Sequence, residues 1–395
     1  MKKLAIVSTH PIQYNAPLFK LLSDRKKILI KVFYTWSQSL QEVSDKGFGI
    51  EVKWDVPLLE NYEYQNIRND STSPGTNSRK GFSNPELIPE IEKFSPDAVL
   101  VFGWFLKSHF QVMRHFKGKI PVIFRGDSTL LDEKRGIKTI LRWIFLRWVY
   151  SYLDYALFVG ANNKAYFLRH GVKESKLIFA PHAIDNNRFA DSKYEVEASL
   201  WREKLGFSNE DIVVLFAGKF MAKKNPLMLI DAVQRVNSDT ANSIKLLLVG
   251  NGELESIIQK RIKDDSNCKI IGFQNQSQMP VVYRLGDVFC MPSQGPYETW
   301  GLAVNEAMAS GRPILSSNKA GCSIDLVQEG CNGWIFNHYK SDDLEEKLRL
   351  IITSGKDVLR VMGENSRKII KDWSFENICK AIESIGPLKT DKSNF

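Results

Sequence analysis

Short apolar runs that alternate with helical stretches restrict this chain more than any other feature. In the first half the runs are Leu4 to Ser8, Leu29 to Tyr34, Ala98 to Phe102, Val122 to Phe124 and Tyr155 to Val159. Strands separated by helices return to the same edge and lie side by side in one direction, so the pattern predicts a parallel sheet covered by helices. The second half repeats it in IVVLFAGKF, IKLLLVGNG, LGDVFCMPS and PILSS, and GCSIDLVQEGCNGWIF adds a short helix and a Gly turn. With 395 residues and 43% hydrophobic content, the chain is long enough for two domains, each with its own core. The fold class expected is α/β.

The chemistry concentrates in QGPYETWGLAVNEAMASGRPI, Gln294 to Ile314, where Glu298 and Glu306 stand with seven residues between them. Glu298 lies in a Gly/Pro-rich approach, and Glu306 lies in an Ala/Met-rich run that should be helical. The amides of Gly301, Leu302 and Ala303 then precede the first intrahelical bonds, and the helix dipole behind them suits an anion such as phosphate. Glu306, one turn further in, can accept two hydrogen bonds from the paired hydroxyls of a ribose, which leaves Glu298 to face whatever hangs from the phosphate. The alternative is a buried helix whose two Glu residues are merely solvated.

These residues, a Glu, seven residues, a second Glu, then Ala-Met-Ala-x-Gly-x-Pro, resemble the signature of the retaining nucleotide-sugar glycosyltransferases of family four. The resemblance implies the GT-B fold, two Rossmann-like doubly wound parallel-sheet domains facing a central cleft. It implies domains at 1–189 on the acceptor side, 190–372 on the nucleotide-sugar side, and a C-terminal helix, 373–395, crossing back to the first. The boundary rests on FAPHAIDNNRF, Phe179 to Phe189, where His182 and Ala183 replace the family's Asn-Gly.

Lys219 follows Gly218 at the end of IVVLFAGKF, and Lys224 comes five residues later, before a helix that Pro226 can start. Two ammonium groups on one loop repel each other unless an anion lies between them, and a diphosphate is such an anion. The family carries Gly-Arg-Leu, three variable residues and Lys-Gly here. Lys219 in place of Arg exchanges a bidentate fork for a point charge, and Asn225 replaces the Gly. Gly250 and Gly252 end the next strand without the third glycine of a dinucleotide fingerprint, so they do not indicate an NAD site. In the resembled family this turn lines the nucleotide pocket, and Gly272-Phe273 would lie where the base is gripped.

In the first half, His10 and Gln13 sit on the loop after the first strand, the edge where open parallel sheets bind ligands, although both could simply cap the next helix. Arg125 and Asp127 stand at another strand end, where the family commonly has a His. Asp127 could orient a hydroxyl and Arg125 could pair with a phosphate or hold Asp127, against the plainer reading of a loop salt bridge. The segment Asn66 to Asn84, rich in Ser, Asn and Gly, is expected to be an excursion from the core, either a plain surface loop or an acceptor-side lid. Lys134 to Tyr155 combines Trp143 and Trp148 with basic residues at helical spacing and is too often interrupted by charge to span a membrane. It reads equally as an interfacial helix attracted to anionic lipid or as a helix buried between its neighbours.

The net charge of +9 favours acidic partners: a diphosphate donor, anionic lipid or nucleic acid. Nucleic acid is the weakest of these, because no recognition motif accompanies the charge. The five cysteines form no CxxC pair, which argues against a zinc site or disulfide framework and for a reducing cytosol. LAIVST after Met1-Lys2-Lys3 is too quickly polar for a signal peptide, so a cytoplasmic protein is expected, peripheral at the membrane face if the basic Trp-bearing helix meets lipid.

Together these readings predict a retaining transferase moving a sugar from a nucleotide diphosphate-sugar to a glycan or lipid-linked acceptor, in surface polysaccharide or glycolipid synthesis. The diphosphate would lie on Lys219, Lys224 and the amides near Gly301, with no metal and no cofactor beyond the donor substrate. A GT-B-fold nucleotide-sugar epimerase and a non-catalytic nucleotide- or glycan-binding protein are the alternatives.

Overall fold

The computed structural model describes residues 1–36, 43–45, 50–52, 54–75, 78–240 and 243–388. The chain divides into two compact units, one of Met1–Val43, Val56–His182 and Phe375–Phe395, the other of Ser44–Asp55 and Ala183–Ser374.

The first unit is built on β1 (Lys2–Ser8) and β2 (Ile28–Tyr34). After a separate two-stranded ribbon, β3 (Val43–Asp45) and β4 (Ile50–Val52), its sheet continues with β5 (Tyr64–Asn66), β6 (Ala98–Phe102), β7 (Val122–Arg125), β8 (Tyr155–Phe158) and β9 (Leu177–Phe179). The seven strands run parallel in the order β5-β2-β1-β6-β7-β8-β9. Leu4, Ala5, Ile6 and Val7 of β1 have no exposed surface, because helices cover both faces of a parallel sheet. The chain winds outward from β1 in one direction and then returns to its other side with β6. The carboxyl end of β1, where His10 follows, is therefore a topological switch point. The sequence pattern missed β5 and β9 because each is only three residues long. The helix Phe375–Glu383 belongs to this unit and packs on Ala16–Asp24. Arg25 holds Glu383 in a fork, Nε to Oε1 at 2.5 Å and Nη2 to Oε2 at 2.7 Å, and also pairs with Glu376.

The 66–84 segment is anchored in the core at its two ends, where Ile67 and Phe82 are buried, while its described residues from Asp70 to Lys80 are exposed or half-buried. Polar side chains take over the work of large apolar ones. Asn84 donates to the carbonyls of Thr35 and Arg68 at 2.9 Å each, and Asn69 donates to Gly81 O at 3.0 Å.

The second unit carries β10 (Ile212–Ala217), β11 (Ile244–Val249), β12 (Cys268–Ile271), β13 (Val288–Met291), β14 (Ile314–Ser317) and β15 (Gly333–Phe336). They form a parallel sheet in the order β12-β11-β10-β13-β14-β15, which places the switch point between β10 and β13. The connector after Phe189 is helical over Tyr194–Lys204 and is fixed to this unit by Arg202, which donates to Leu285 O at 2.7 Å and pairs with Asp287 at 3.2 Å. The long C-terminal helical run, Ser341–Ile370, is interrupted at Gly355, whose φ of 69° is not helical.

Candidate functional site

The two strands at the second switch point deliver the two charged loops. The loop after β10 carries Lys219 and Lys224, and the loop after β13 carries Ser293 and Glu298. Backbone and side chain of Gln294 tie the loops together: its N–H donates to Lys223 O at 2.9 Å and its Nε2 to Ala222 O at 2.7 Å. Lys224 ends a 3-10 turn, Ala222–Lys224, and Asn225 after it is left-handed with a φ of 53°. Asn tolerates that conformation better than most side chains, which accounts for its standing where the family has Gly. Pro226 then opens the helix Pro226–Asp239.

Lys224 Nζ lies 2.6 Å from Glu298 Oε2, and the two side chains are only 19% and 8% exposed. The Ser293 hydroxyl reaches the same oxygen at 3.2 Å. The anion expected to separate the lysines is thus partly supplied by the protein, and Glu298 is held by Lys224 rather than turned to solvent. The backbone on either side of Glu298 is also fastened, with Gly321 N donating to Glu298 O and Cys322 N to Trp300 O, both at 3.1 Å.

Gly301 caps the helix Leu302–Ala309 with φ 107°, a conformation few side chains adopt, and a Cβ there would meet Met291 Sδ at 2.9 Å. The Val304 N–H donates to Gly301 O at 2.9 Å, so the amides of Gly301, Leu302 and Ala303 stand ahead of the first intrahelical bond. One turn in, Glu306 is buried, and the buried Tyr283 hydroxyl donates to its Oε2 at 2.7 Å. The Trp300 indole N–H donates to Asn305 Oδ1 at 2.8 Å, pinning the first turn.

Gly218, Gly250, Gly272 and Phe273 converge at the ends of neighbouring strands. Gly218 N donates to Val249 O at 2.9 Å, Gly250 N to Ile271 O at 3.0 Å, and Phe273 N to Asn251 Oδ1 at 2.5 Å. A Cβ on Gly250 would lie 2.0 Å from Gly218 O, so the close approach of the two turns requires glycine.

The residues of the first unit do different work. Arg125 is buried, and its two Nη atoms donate to Ala180 O at 2.8 Å and Pro181 O at 2.9 Å, tethering β7 to the end of the β9 segment. Burial draws its guanidinium down to about 10, against the opposing attraction of Asp127. Asp127 Oδ2 lies 3.6 Å from His182 Nε2, and burial lowers the pKa of that imidazole while Asp127 raises it. His10 stands at the other loop, its Nδ1 2.9 Å from Thr9 Oγ1 and its ring edge-on to Trp36 at 5.3 Å. Burial lowers its pKa as well. Within this sheet the structure brings Arg125, Asp127 and His182 together, and His10 follows a strand two places away.

The sequence reading missed Tyr283, Ser293 and the buried His109. Tyr283 sits in the helix Met279–Leu285 and was visible only as an apolar residue before LGDVF. His109 is bound on both nitrogens, Nε2 to Thr35 Oγ1 at 2.9 Å and Nδ1 to Phe102 O at 2.8 Å. Among the described residues no group of three or more His, Cys, Asp or Glu is placed to hold a metal ion, and no helix is long and apolar enough to cross a membrane.

Residues 197–369 match the family described as Glycosyl transferases group 1. The chain is 27% identical over 223 residues to the lipopolysaccharide 1,2-N-acetylglucosaminetransferase of Salmonella typhimurium, covering 53% of this chain and 57% of that protein. It is 25% identical over 305 residues to the sulfoquinovosyl transferase SQD2 of Arabidopsis thaliana, covering 73% of this chain and 56% of that protein. The matches thus span less than two thirds of either relative. Among solved structures, Anabaena Alr3699/HepE in complex with UDP superposes with a TM-score of 0.71 at 17% identity, over 97% of this chain and 98% of that one.

Proposed function

We propose that the chain, which has the GT-B fold of its solved neighbours, is a retaining group 1 glycosyltransferase of family four, and that its second unit holds a nucleotide diphosphate-sugar whose sugar passes to a glycan or lipid-linked acceptor. The observation that carries the reading is the set around the β10/β13 switch point: Lys224 on Glu298, the helix N-terminus at Gly301, and Glu306 one turn in. In it Glu306 takes the ribose, while Gly218, Gly250, Gly272 and Phe273 line the nucleotide's path. Lys219, Lys224 and the amides of Gly301 and Leu302 take the diphosphate. As the glycosidic bond breaks, negative charge grows on the leaving phosphate, and these preplaced groups stabilise that charge more than the ground state. Glu298 holds sugar hydroxyls once the diphosphate shares Lys224 with it. Asp127 and His10 serve the acceptor side, and Arg125 keeps the Asp127 loop in place. The leaving phosphate itself takes the acceptor proton, so no protein nucleophile is assigned.

The acceptor belongs to surface polysaccharide or glycolipid synthesis and is met at the cytoplasmic face of an anionic membrane, a reading supported by the lipopolysaccharide named for the Salmonella relative. UDP is the first nucleotide to test, since the Anabaena neighbour holds it. Thermal shift against UDP, GDP, ADP, CMP and dTDP should single out one ligand, which at a hundred times its dissociation constant adds about 2.7 kcal/mol of apparent stability. Glu306→Ala and Lys224→Ala should lose that increment relative to their own ligand-free melting points. An increment retained in both variants overturns the donor-site assignment.

A further inference from the structure

The helix Ile137–Tyr150 presents apolar side chains on two opposite faces. Leu146, Val149 and Tyr150 are buried in the core of the first unit. On the other side Ile137, Ile140, Leu141, Ile144 and Trp148 are 77, 60, 61, 55 and 44% exposed. Their spacing puts them on a single stripe along the helix. Five large apolar side chains exposed together are unlike the scattered apolar residues of an ordinary surface and mark a binding face. Phe105, 47% exposed, extends the patch through Trp104, which packs on Phe145 at a ring separation of 5.6 Å.

Charge identifies what covers the face. Lys134, Arg135, Lys138 and Arg147 accompany the stripe, and no Asp or Glu occurs from Lys134 to Leu153, although Asp132 and Glu133 come just before it and Arg142 turns away to donate to the Tyr166 hydroxyl at 3.2 Å. On the helix, Lys138 and Arg147 fall on opposite borders of the stripe. Arg147 lies over the Trp143 ring at 4.8 Å, and the Trp143 indole donates to Arg169 O at 2.8 Å, so this border is held in place. A second copy of the chain docked on the stripe would bring two such basic sets together, which is unfavourable. A surface that is apolar beneath and anionic above satisfies both features at once.

We propose that this face docks the protein on an anionic lipid bilayer, the helix lying in the plane of the interface with its stripe among the acyl-chain ends and its basic residues on the headgroups. This names the surface for the membrane-borne acceptor of the preceding reading and rests on that reading for its purpose. Docking on one stripe also fixes which way the unit faces the membrane.

The test is flotation of the full chain with phosphatidylcholine vesicles, with and without phosphatidylglycerol. Wild type should float only with the anionic vesicles, and less so as salt rises. Each basic residue near such a surface is worth roughly fivefold in affinity, so Lys134→Gln, Arg135→Gln and Lys138→Gln together should weaken binding about a hundredfold. The paired Ile140→Gln and Leu141→Gln change exposed positions in a helix and should cost at least tenfold. A ligand-free melting temperature and a far-UV circular dichroism spectrum equal to wild type in both variants show that they remain folded. Equal flotation with neutral vesicles, unchanged flotation of both variants, or a stripe-dependent dimer by sedimentation velocity each overturns the proposal. A protein that responds to nucleotide but does not float loses only the docking face. One that floats without responding to any nucleotide loses only the donor reading.

Discussion

Replacing Lys224 by Met tests the most consequential contact in the second unit. Its Nζ is 2.6 Å from Glu298 Oε2, and the carboxylate side chain keeps only 8% of its surface in water. Without the ammonium, Glu298 retains the Ser293 hydroxyl at 3.2 Å but no counter-charge there. Breaking a buried pair by removing one partner costs about 3–5 kcal/mol, and the 19% exposure of Lys224 argues for the lower end, about 3. For a unit of this size that corresponds to a fall in melting temperature of about 6–12 °C. Glu298→Gln should cost less, since the lysine left behind can reach water. The double variant should recover about 2 kcal/mol of the summed losses, because neither charge is stranded. Differential scanning calorimetry of the four proteins without nucleotide supplies the cycle. Losses that simply add, or a Lys224→Met protein melting within about 1 °C of wild type, would refute the idea that the pair is a desolvated unit.

Three further outcomes follow from single contacts. Tyr283→Phe removes a hydrogen bond to a buried carboxylate worth about 1.5–3 kcal/mol, so titration calorimetry should show binding of the preferred nucleotide weakened about tenfold or more and its preference over the 2′-deoxy form reduced; an unchanged preference denies Tyr283 a positioning role. Gly250→Ala forces a Cβ to within 2.0 Å of Gly218 O at a φ of 142° and should cost about 2–4 kcal/mol in urea denaturation, with an unperturbed midpoint counting against the close approach of the two turns. Burial holds His109 at about 4, below the 6.5 of an unfolded histidine, so the unfolded chain binds the extra proton. The resulting stability is present above pH 6.5 and is lost as pH falls toward 4, by about 2 kcal/mol at pH 5, and a His109→Gln variant should lack that part of the pH slope.

What was legible in the sequence follows the length and purity of its signals. Strands such as β6 and β10 are uninterrupted apolar runs, and a series of such runs alternating with helices favours a parallel sheet buried on both faces. β5 and β9 have three residues each and carry no pattern distinguishable from a loop. The Glu298/Glu306 spacing located a helix start correctly at Leu302, because the glycine before it and the Ala/Met run after it are local signals. Its partners were not legible. Tyr283 meets Glu306 from 23 residues away, and Lys224 meets Glu298 across three crossover connections, so these pairings depend on the order of strands. The anchoring of the 66–84 segment at its ends was not legible either, since Asn69 and Asn84 act there by donating their amides to buried carbonyls rather than by apolar bulk.

The pairing of β10 with β13 has a consequence for how this molecule tolerates insertions. Val214 faces Val288 and Leu215 faces Phe289, and each strand leads directly into one of the two charged loops. A single residue added within either strand would advance its loop by one step of about 3.3 Å and turn alternate side chains to the other face. That displacement exceeds the reach of a hydrogen bond, so the central pair behaves as a vernier that sets lysine against carboxylate. The same insertion in β12 or β15, at the rims of the sheet, leaves that setting untouched. Length variation compatible with transfer should therefore accumulate at the rims, while β10 and β13 keep their residue count.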